Sequence, residues 1–188
     1  MKEVEVALLG FGTVGSGTFS LLQTNAELIE NRLGVRPHVS KIYVRNPQKY
    51  TDVTLPEGTV FTDSVDDVLG DETIRIVVEV MGGTTFAREC VEKALKAGKN
   101  VVTANKDLLA EAGPYLLDLA SKNGVDLRYE ASVLGGIPII RTLYDSLGGN
   151  KISELVGIMN GTTNFILSKM TEDGSNYDEV LAEAQALG

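Results

Sequence analysis

The chain has 188 residues, of which 17 are lysine or arginine, 26 are aspartate or glutamate, one is histidine and one is cysteine. This length suits one large domain or one and a half small ones. The lone His38 and the lone Cys90 exclude a cysteine–histidine zinc site, a redox-active cysteine pair and an internal disulfide. The net charge of −9 argues against a nucleic-acid partner, because binding to phosphates needs clustered lysine and arginine.

The sequence carries no sign of a membrane span or of a secretion signal. No stretch reaches the ~18 consecutive apolar residues that a membrane helix needs. Residues 1–5 contain two glutamates where a signal peptide has its basic region. The near-absence of cysteine suits a reducing compartment. We therefore expect a cytoplasmic protein.

Strand-like and helix-like segments alternate along the first two thirds of the chain, which is typical of a parallel sheet covered by helices. The predicted strands are residues 4–9, 38–45, 74–80, 100–103 and 125–130. The predicted helices are residues 14–33, a short one capped by Ser64, 84–97, and 106–123 with a break at Gly113-Pro114. Residues 46–58 are predicted to form a surface loop.

The pattern changes after a glycine-rich stretch around residues 131–138. A helix over residues 139–147, a strand over 152–159 and helices over 163–171 and 177–186 are predicted there. The strand and the two helices that follow it are too few to enclose a second core. We therefore predict one complete domain, residues 1–134, and part of another, residues 135–188.

A glycine motif directly follows the first predicted strand and opens the first predicted helix: Gly10-Phe11-Gly12-Thr13-Val14-Gly15. It fits G-x-G-x-x-G, whose glycines allow a tight turn, close approach of the backbone to a pyrophosphate, and close helix–sheet packing. The helix N-terminus adds free N–H groups and a positive dipole end. The motif predicts dinucleotide binding and an α/β, Rossmann-type doubly wound parallel sheet; the alternative is a glycine-rich turn that binds nothing.

The end of the second predicted strand bears on the choice of dinucleotide. An acidic residue there would bind the ribose of NAD, whereas a basic residue accommodates the 2′-phosphate of NADP. The strand ends at Arg45, Lys49 is close behind, and the first acid is Asp52. This favours NADP with Arg45 over the phosphate; NAD stays possible, and a solvated loop arginine is the alternative.

Two more segments are predicted to end strands at the same edge of the sheet. The turn that includes Gly83 and Thr84 follows the buried strand, so it should border the cofactor, although a plain turn capped by Thr84 is the alternative. Thr103 and Lys106 follow the next strand. A lysine amine in a dry pocket suits proton transfer, but most lysines are solvated surface groups.

Five segments together strongly resemble the homoserine dehydrogenase family over essentially the whole chain: GFGTVGSG, VVTANKDLLA, YEASVLGGIPIIRTL, GIMNGTTNFIL and EAQALG. The resemblance implies an NAD(P)-dependent oxidoreductase that interconverts L-homoserine and L-aspartate 4-semialdehyde, in the biosynthesis of threonine, methionine and isoleucine. It also implies that residues 135–188 begin an α+β substrate and dimerisation domain, and that the full-length enzyme is a homodimer.

The resemblance also implies residue roles. Lys106 would lie beside the nicotinamide and the substrate and take part in catalysis. A structural sodium ion would be bound by Glu130, Val133, Gly135 and Ile137. The predicted cofactor-binding residues are Gly10, Phe11, Gly12, Thr13, Val14, Gly15, Arg45, Gly83, Thr84, Thr103, Lys106 and Gly188.

The family continues beyond Leu187-Gly188 into an acidic segment with a second catalytic lysine, so we expect this chain to stop before part of the substrate site. One alternative is therefore a non-catalytic NADP-binding fragment. Another is a different Rossmann dehydrogenase of amino acids, such as an aspartate dehydrogenase. An acylating semialdehyde dehydrogenase is disfavoured because Cys90 falls on an apolar helix stripe, where a cysteine is a core residue and not a nucleophile.

Overall fold

The computed structural model describes residues 2–158 and 160–187, and the chain divides between Ser132 and Val133 into two compact units. The strands of the first unit are β1 (Glu3–Leu9), β2 (Arg36–Tyr43), β3 (Val60–Thr62), β4 (Ile74–Glu79), β5 (Asn100–Thr103) and β6 (Leu127–Arg128). They form one parallel sheet in the order β3-β2-β1-β4-β5-β6. This architecture confirms the predicted α/β fold with a Rossmann-type sheet.

The helices of the first unit are α1 (Thr13–Thr24), α2 (Ala26–Leu33), α3 (Val65–Leu69), α4 (Thr85–Lys96) and α5 (Lys106–Lys122). Because side chains alternate along a strand, β1 supplies two cores. Ala7 and Leu9 pack with α3, α4 and α5, whereas Val6 and Leu8 pack with Phe19 of α1. Each fully buried leucine of this kind stabilises the fold by about 1.5–3 kcal/mol.

Two helix predictions are wrong in detail. The single helix predicted over residues 14–33 is divided at Asn25, whose backbone leaves helical geometry (φ −106°, ψ 17°) and whose side-chain amide donates to the carbonyl of Leu21. The break predicted at Gly113-Pro114 is absent, since α5 is continuous through Pro114. Pro114 and Ala110 are exposed, so water can satisfy the carbonyl that proline leaves unbonded while the opposite face of α5 stays packed.

The strand predictions differ at their ends. The strand β2 lies two residues earlier than predicted, β6 is much shorter than predicted, and a 3₁₀ turn over Glu130–Ser132 follows it. The strand β3 was not predicted because it has only three residues and follows a polar loop. Such a short strand exists through its ladder to β2, which local sequence does not reveal.

Within the described residues, the regular elements of the second unit are all helical. Helix α6 (Ile139–Arg141) runs into a π-helical turn over Thr142–Ser146, and α7 (Gly161–Glu172) packs on α8 (Tyr177–Leu187). The strand predicted over residues 152–159 is wrong for residues 152–158, which pair with no described strand, and Met159 lies outside the described residues. Val156 is 86% exposed there, so the apolar side chains of this segment are not buried as those of a sheet strand would be.

No helix within residues 2–158 or 160–187 combines the length and the apolar composition that crossing a membrane requires.

Candidate functional site

Three segments meet at the carboxyl edge of the sheet because β1, β4 and β5 are adjacent and parallel. Residues 10–12 follow β1, residues 80–84 follow β4, and residues 104–105 follow β5. The chain leaves β1 for β2 on one side and returns to β4 on the other, so the order of strands reverses between β1 and β4. Ligands of open α/β sheets bind at such a switch point.

The glycine loop is shaped by two positions that exclude a side chain. Gly10 has φ +106°, and a Cβ added there would lie 2.9 Å from the carbonyl oxygen of Val80. A Cβ at Gly15 would collide with the carbonyl oxygen of Gly10. Gly12, in contrast, faces open space and precedes α1 without any side-chain cap. The first N–H groups of α1 are therefore available to an anion at the positive end of the helix.

The side chain of Phe11 is buried in the core of the first unit. Its ring makes edge contacts with Phe19, Tyr50 and Phe61, at centroid distances of 5.7, 5.5 and 5.1 Å. These contacts anchor the glycine loop to the core of the first unit. Sequence reasoning missed this aromatic cluster, because two of its members lie more than thirty residues away in the chain.

A cavity of about 270 Å³ opens beside the glycine loop. Arg45 and Lys49 line it together with Gly10 and Gly12, and no carboxylate is among its lining residues. Both basic side chains are exposed, and neither forms an ion pair with a described residue. The cavity thus offers two uncommitted cations next to a helix N-terminus, which is a favourable environment for phosphates.

A buried carboxylate at the end of β4 was not anticipated from the sequence. Glu79 is fully buried; its Oε1 accepts from the backbone N–H of Met81 at 2.9 Å, and its Oε2 accepts from the Thr103 hydroxyl at 2.6 Å. The signal in the sequence was an acid near the end of a mostly apolar strand, two residues before Met81-Gly82-Gly83. Thr103 is itself fully buried, so its hydroxyl is committed to protein partners.

Asn105 connects the segments that follow β4 and β5. Its Oδ1 accepts from the N–H of Leu108 at 3.0 Å and caps α5, while its Nδ2 donates to the carbonyl of Gly83 at 2.7 Å. Lys106 is the first residue of α5 and is exposed. Within the described residues its amine forms no ion pair, so it is free to meet a substrate at the edge of the sheet.

The remaining predicted residues are spread more widely. Glu130 belongs to the first unit, whereas Val133, Gly135 and Ile137 belong to the second. Gly135 follows Leu134 in left-handed backbone, with φ values of 59° and 51°. Residues 2–158 and 160–187 contain no cluster of three or more His, Cys, Asp or Glu side chains suited to a metal ion. Gly188 lies outside the described residues.

Thr84 precedes α4 without making a side-chain cap. Cys90 is buried on α4, and burial raises the pKa of its thiol to about 11. A thiol with such a pKa is a poor nucleophile at neutral pH, as expected for a core residue.

A glycine loop at the switch point of a parallel sheet, with free helix N–H groups and basic side chains beside it, defines the class of Rossmann dinucleotide-binding domains. A family model described as "Homoserine dehydrogenase, NAD binding domain" matches residues 10–130, and one described as "Homoserine dehydrogenase" matches residues 138–188. The chain therefore belongs to the homoserine dehydrogenase family.

Similar proteins carry the same name. The homoserine dehydrogenases of Bacillus subtilis (strain 168) and Pseudomonas aeruginosa are 46% and 47% identical to this chain over 188 residues. Each comparison covers 100% of this chain but 43% of the relative, so the chain spans less than half the length of these relatives.

Two solved structures extend the comparison. The homoserine dehydrogenase from Thiobacillus denitrificans has a TM-score of 0.90 at 48% identity, covering 100% of this chain and 43% of that one. A hyperthermophilic archaeal homoserine dehydrogenase in complex with NADPH has a TM-score of 0.75 at 29% identity, covering 99% of this chain and 61% of that one.

Proposed function

We propose that this chain is the cofactor-binding part of an NADP-dependent homoserine dehydrogenase, which interconverts L-homoserine and L-aspartate 4-semialdehyde. The observation that carries the proposal is the meeting of the glycine loop, the turn after Glu79 and Lys106 at one edge of the sheet, in a chain of this family. Because the chain spans 43% of the relatives' length, the activity is proposed for the whole protein.

The chain's own residues suit a dinucleotide phosphate. The N–H groups of Thr13, Val14 and Gly15 would bind the pyrophosphate, because they open α1 without a competing cap. Arg45 would bind the 2′-phosphate, with Lys49 beside it in the cavity. The absence of a carboxylate among the cavity's lining residues removes the partner that the ribose of NAD would need, which favours NADP over NAD.

The proposed chemistry needs one proton carrier near the reacting carbon. The nicotinamide, when bound, supplies the hydride chemistry of the reaction. Lys106 would take the hydroxyl proton of homoserine in one direction and return it to the carbonyl oxygen of the semialdehyde in the other. The turn at Gly83 and Thr84 and the end of β5 at Thr103 would enclose the ring and exclude water.

Several finer assignments belong to the same proposal. Residues 1–134 would be the NAD(P)-binding domain, and residues 135–188 would begin the substrate and dimerisation domain of a cytoplasmic homodimer. A sodium ion would be bound by the carboxylate of Glu130 and the carbonyls of Val133, Gly135 and Ile137, since hard cations prefer oxygen ligands.

An activity assay on the full-length gene product tests the proposal. With NADP⁺, L-homoserine should be oxidised, and formation of reduced nicotinamide is measured by its absorbance. L-Aspartate in the same assay tests the competing aspartate dehydrogenase. Turnover of L-aspartate, or of neither substrate, would contradict the proposed reaction. If the full-length protein binds NADPH but turns over neither substrate, the non-catalytic alternative is supported.

A further inference from the structure

The buried carboxylate of Glu79 is a costly feature of the first unit. A charged group removed from water destabilises a fold unless hydrogen bonds or counter-charges compensate. Within the described residues, no lysine, arginine or histidine forms an ion pair with Glu79, so its compensation comes from Met81 and Thr103. Val77, two residues earlier on β4, is also fully buried, so an apolar side chain would suit this side of the strand.

The two hydrogen bonds of Glu79 belong to a closed ring. The Thr103 oxygen that donates to Glu79 also accepts from the backbone N–H of Asn105 at 3.0 Å. The side-chain amide of Asn105 donates to the carbonyl of Gly83. The backbone from Gly83 to Met81, whose N–H donates to Glu79, completes the ring. The ring therefore ties the turn after β4 to the segment between β5 and α5.

The ring restrains a turn in which Met81 packs against the core but the two glycines that follow have no packing of their own. Gly82 and Gly83 both have left-handed φ, 76° and 72°, and a Cβ at either position would meet nothing within 4 Å. Glycines in such a conformation gain freedom easily when their anchors are removed. On the other side of the ring, Asn105 fixes the start of α5, where Lys106 is the first residue.

We propose that Glu79 is a positioning residue that holds the binding surface for the nicotinamide half of the cofactor, together with the backbone of Lys106. The inference rests on the proposed NADP binding and deepens it. The adenine half, in contrast, is assigned to the glycine loop, Arg45 and Lys49, which share no described hydrogen bond with the ring, although Met81 lines the cavity beside them. Loss of the ring should therefore weaken binding of the nicotinamide half more than binding of the adenine half.

Calorimetric titration of this 188-residue chain with NADPH and with 2′,5′-ADP, which lacks the nicotinamide half, separates the two effects. Glu79→Leu removes both carboxylate acceptors, so the bonds from the N–H of Met81 and from the hydroxyl of Thr103 are both lost. The affinity for NADPH should fall about tenfold, the equivalent of one hydrogen bond, while the affinity for 2′,5′-ADP stays within about twofold.

Thr103→Val is a second variant that opens the ring while the carboxylate stays, and it should show the same split if Glu79→Leu does not fold. Thr59→Val is the matched control. Thr59 is also a buried threonine, and its hydroxyl donates to the carbonyl of Val39 at 2.7 Å. It lies directly before β3, the outermost strand on the far side of β1 and β2 from the ring. Thr59→Val should lower the melting temperature and leave both affinities unchanged.

Unchanged NADPH affinity in both ring variants would overturn the role of Glu79. An equal loss for NADPH and 2′,5′-ADP would also overturn it, because that result indicates general structural damage. If the unaltered chain binds neither ligand, the proposed cofactor is wrong and the inference falls with it. If the unaltered chain binds both, the variants decide the inference alone.

Discussion

At the scale of single residues, the carboxyl edge of the sheet contains side chains of two kinds. Arg45, Lys49 and Lys106 are exposed and unpaired within the described residues, so they are available to a ligand. Glu79 and Thr103 are fully buried and act on their neighbours through hydrogen bonds. Substitutions in the first group should change chemistry or selectivity while leaving the fold intact.

Lys106→Ala in the full-length protein should lower kcat by about a hundredfold to ten-thousandfold, because it removes the proposed proton carrier. NADPH binding, measured by calorimetry, should persist. Lys122→Ala is the matched control: it removes the same charge at the last turn of the same helix, where the amine pairs with Asp118 at 2.6 Å. Near-normal kcat in Lys106→Ala would refute the assigned role.

Arg45→Asp should reverse the preference between cofactors. A carboxylate at this position repels the 2′-phosphate of NADPH and can accept hydrogen bonds from the ribose of NADH. The ratio of the two dissociation constants, measured by titration, should move by at least about tenfold toward NADH, since one charge-assisted bond is worth about 1.5–3 kcal/mol. If the ratio stays the same, Arg45 is a solvated loop residue.

At the scale of elements, the strand–loop–helix unit of β1 and α1 depends on close contact at two glycines. Gly15→Ala places a methyl group against the carbonyl of Gly10, which should destabilise the chain by about 1–3 kcal/mol and weaken NADPH binding. Gly17→Ala is the control within α1: it meets nothing within 4 Å and should stabilise the helix by up to about 1 kcal/mol. Urea unfolding of both variants checks the pair; similar stabilities would contradict the packing argument.

The same unit shows how much of the fold and of the candidate site local sequence predicts. The glycine spacing and the flanking apolar patterns predicted β1, the loop and the start of α1, because all their determinants lie within twenty residues. The ring at Glu79 and the aromatic cluster of Phe11 were missed, since both join residues that only strand order brings together. The segment over residues 152–158 matched a strand in its apolar pattern but has no described strand to pair with.

At the scale of the whole molecule, the acid side of the stability curve should depend on Asp71. Its carboxylate accepts from Lys41 Nζ at 2.7 Å and from the hydroxyl and N–H of Thr73, and these bonds hold its pKa far below the ordinary value of 3.8. In acid the unfolded chain binds a proton on this group before the folded chain does. Asp71 therefore stabilises the fold above about pH 4 and loses this effect as the pH falls further.

Asp71→Asn should flatten the decline of stability below pH 4, as measured by urea unfolding across an acid pH series. The variant should also be less stable than the unaltered chain at neutral pH, because the ion pair with Lys41 is gone. A decline below pH 4 as steep as in the unaltered chain would assign the acid sensitivity to other groups.

The central claim is that this chain provides the NADP site of a homoserine dehydrogenase, and titration of the unaltered chain with NADPH and NADH tests it most directly. Saturable binding of NADPH, tighter than that of NADH and competed by 2′,5′-ADP, is the result expected from the glycine loop with Arg45 and Lys49 beside it. No binding of either dinucleotide, or tighter binding of NADH, would contradict the claim.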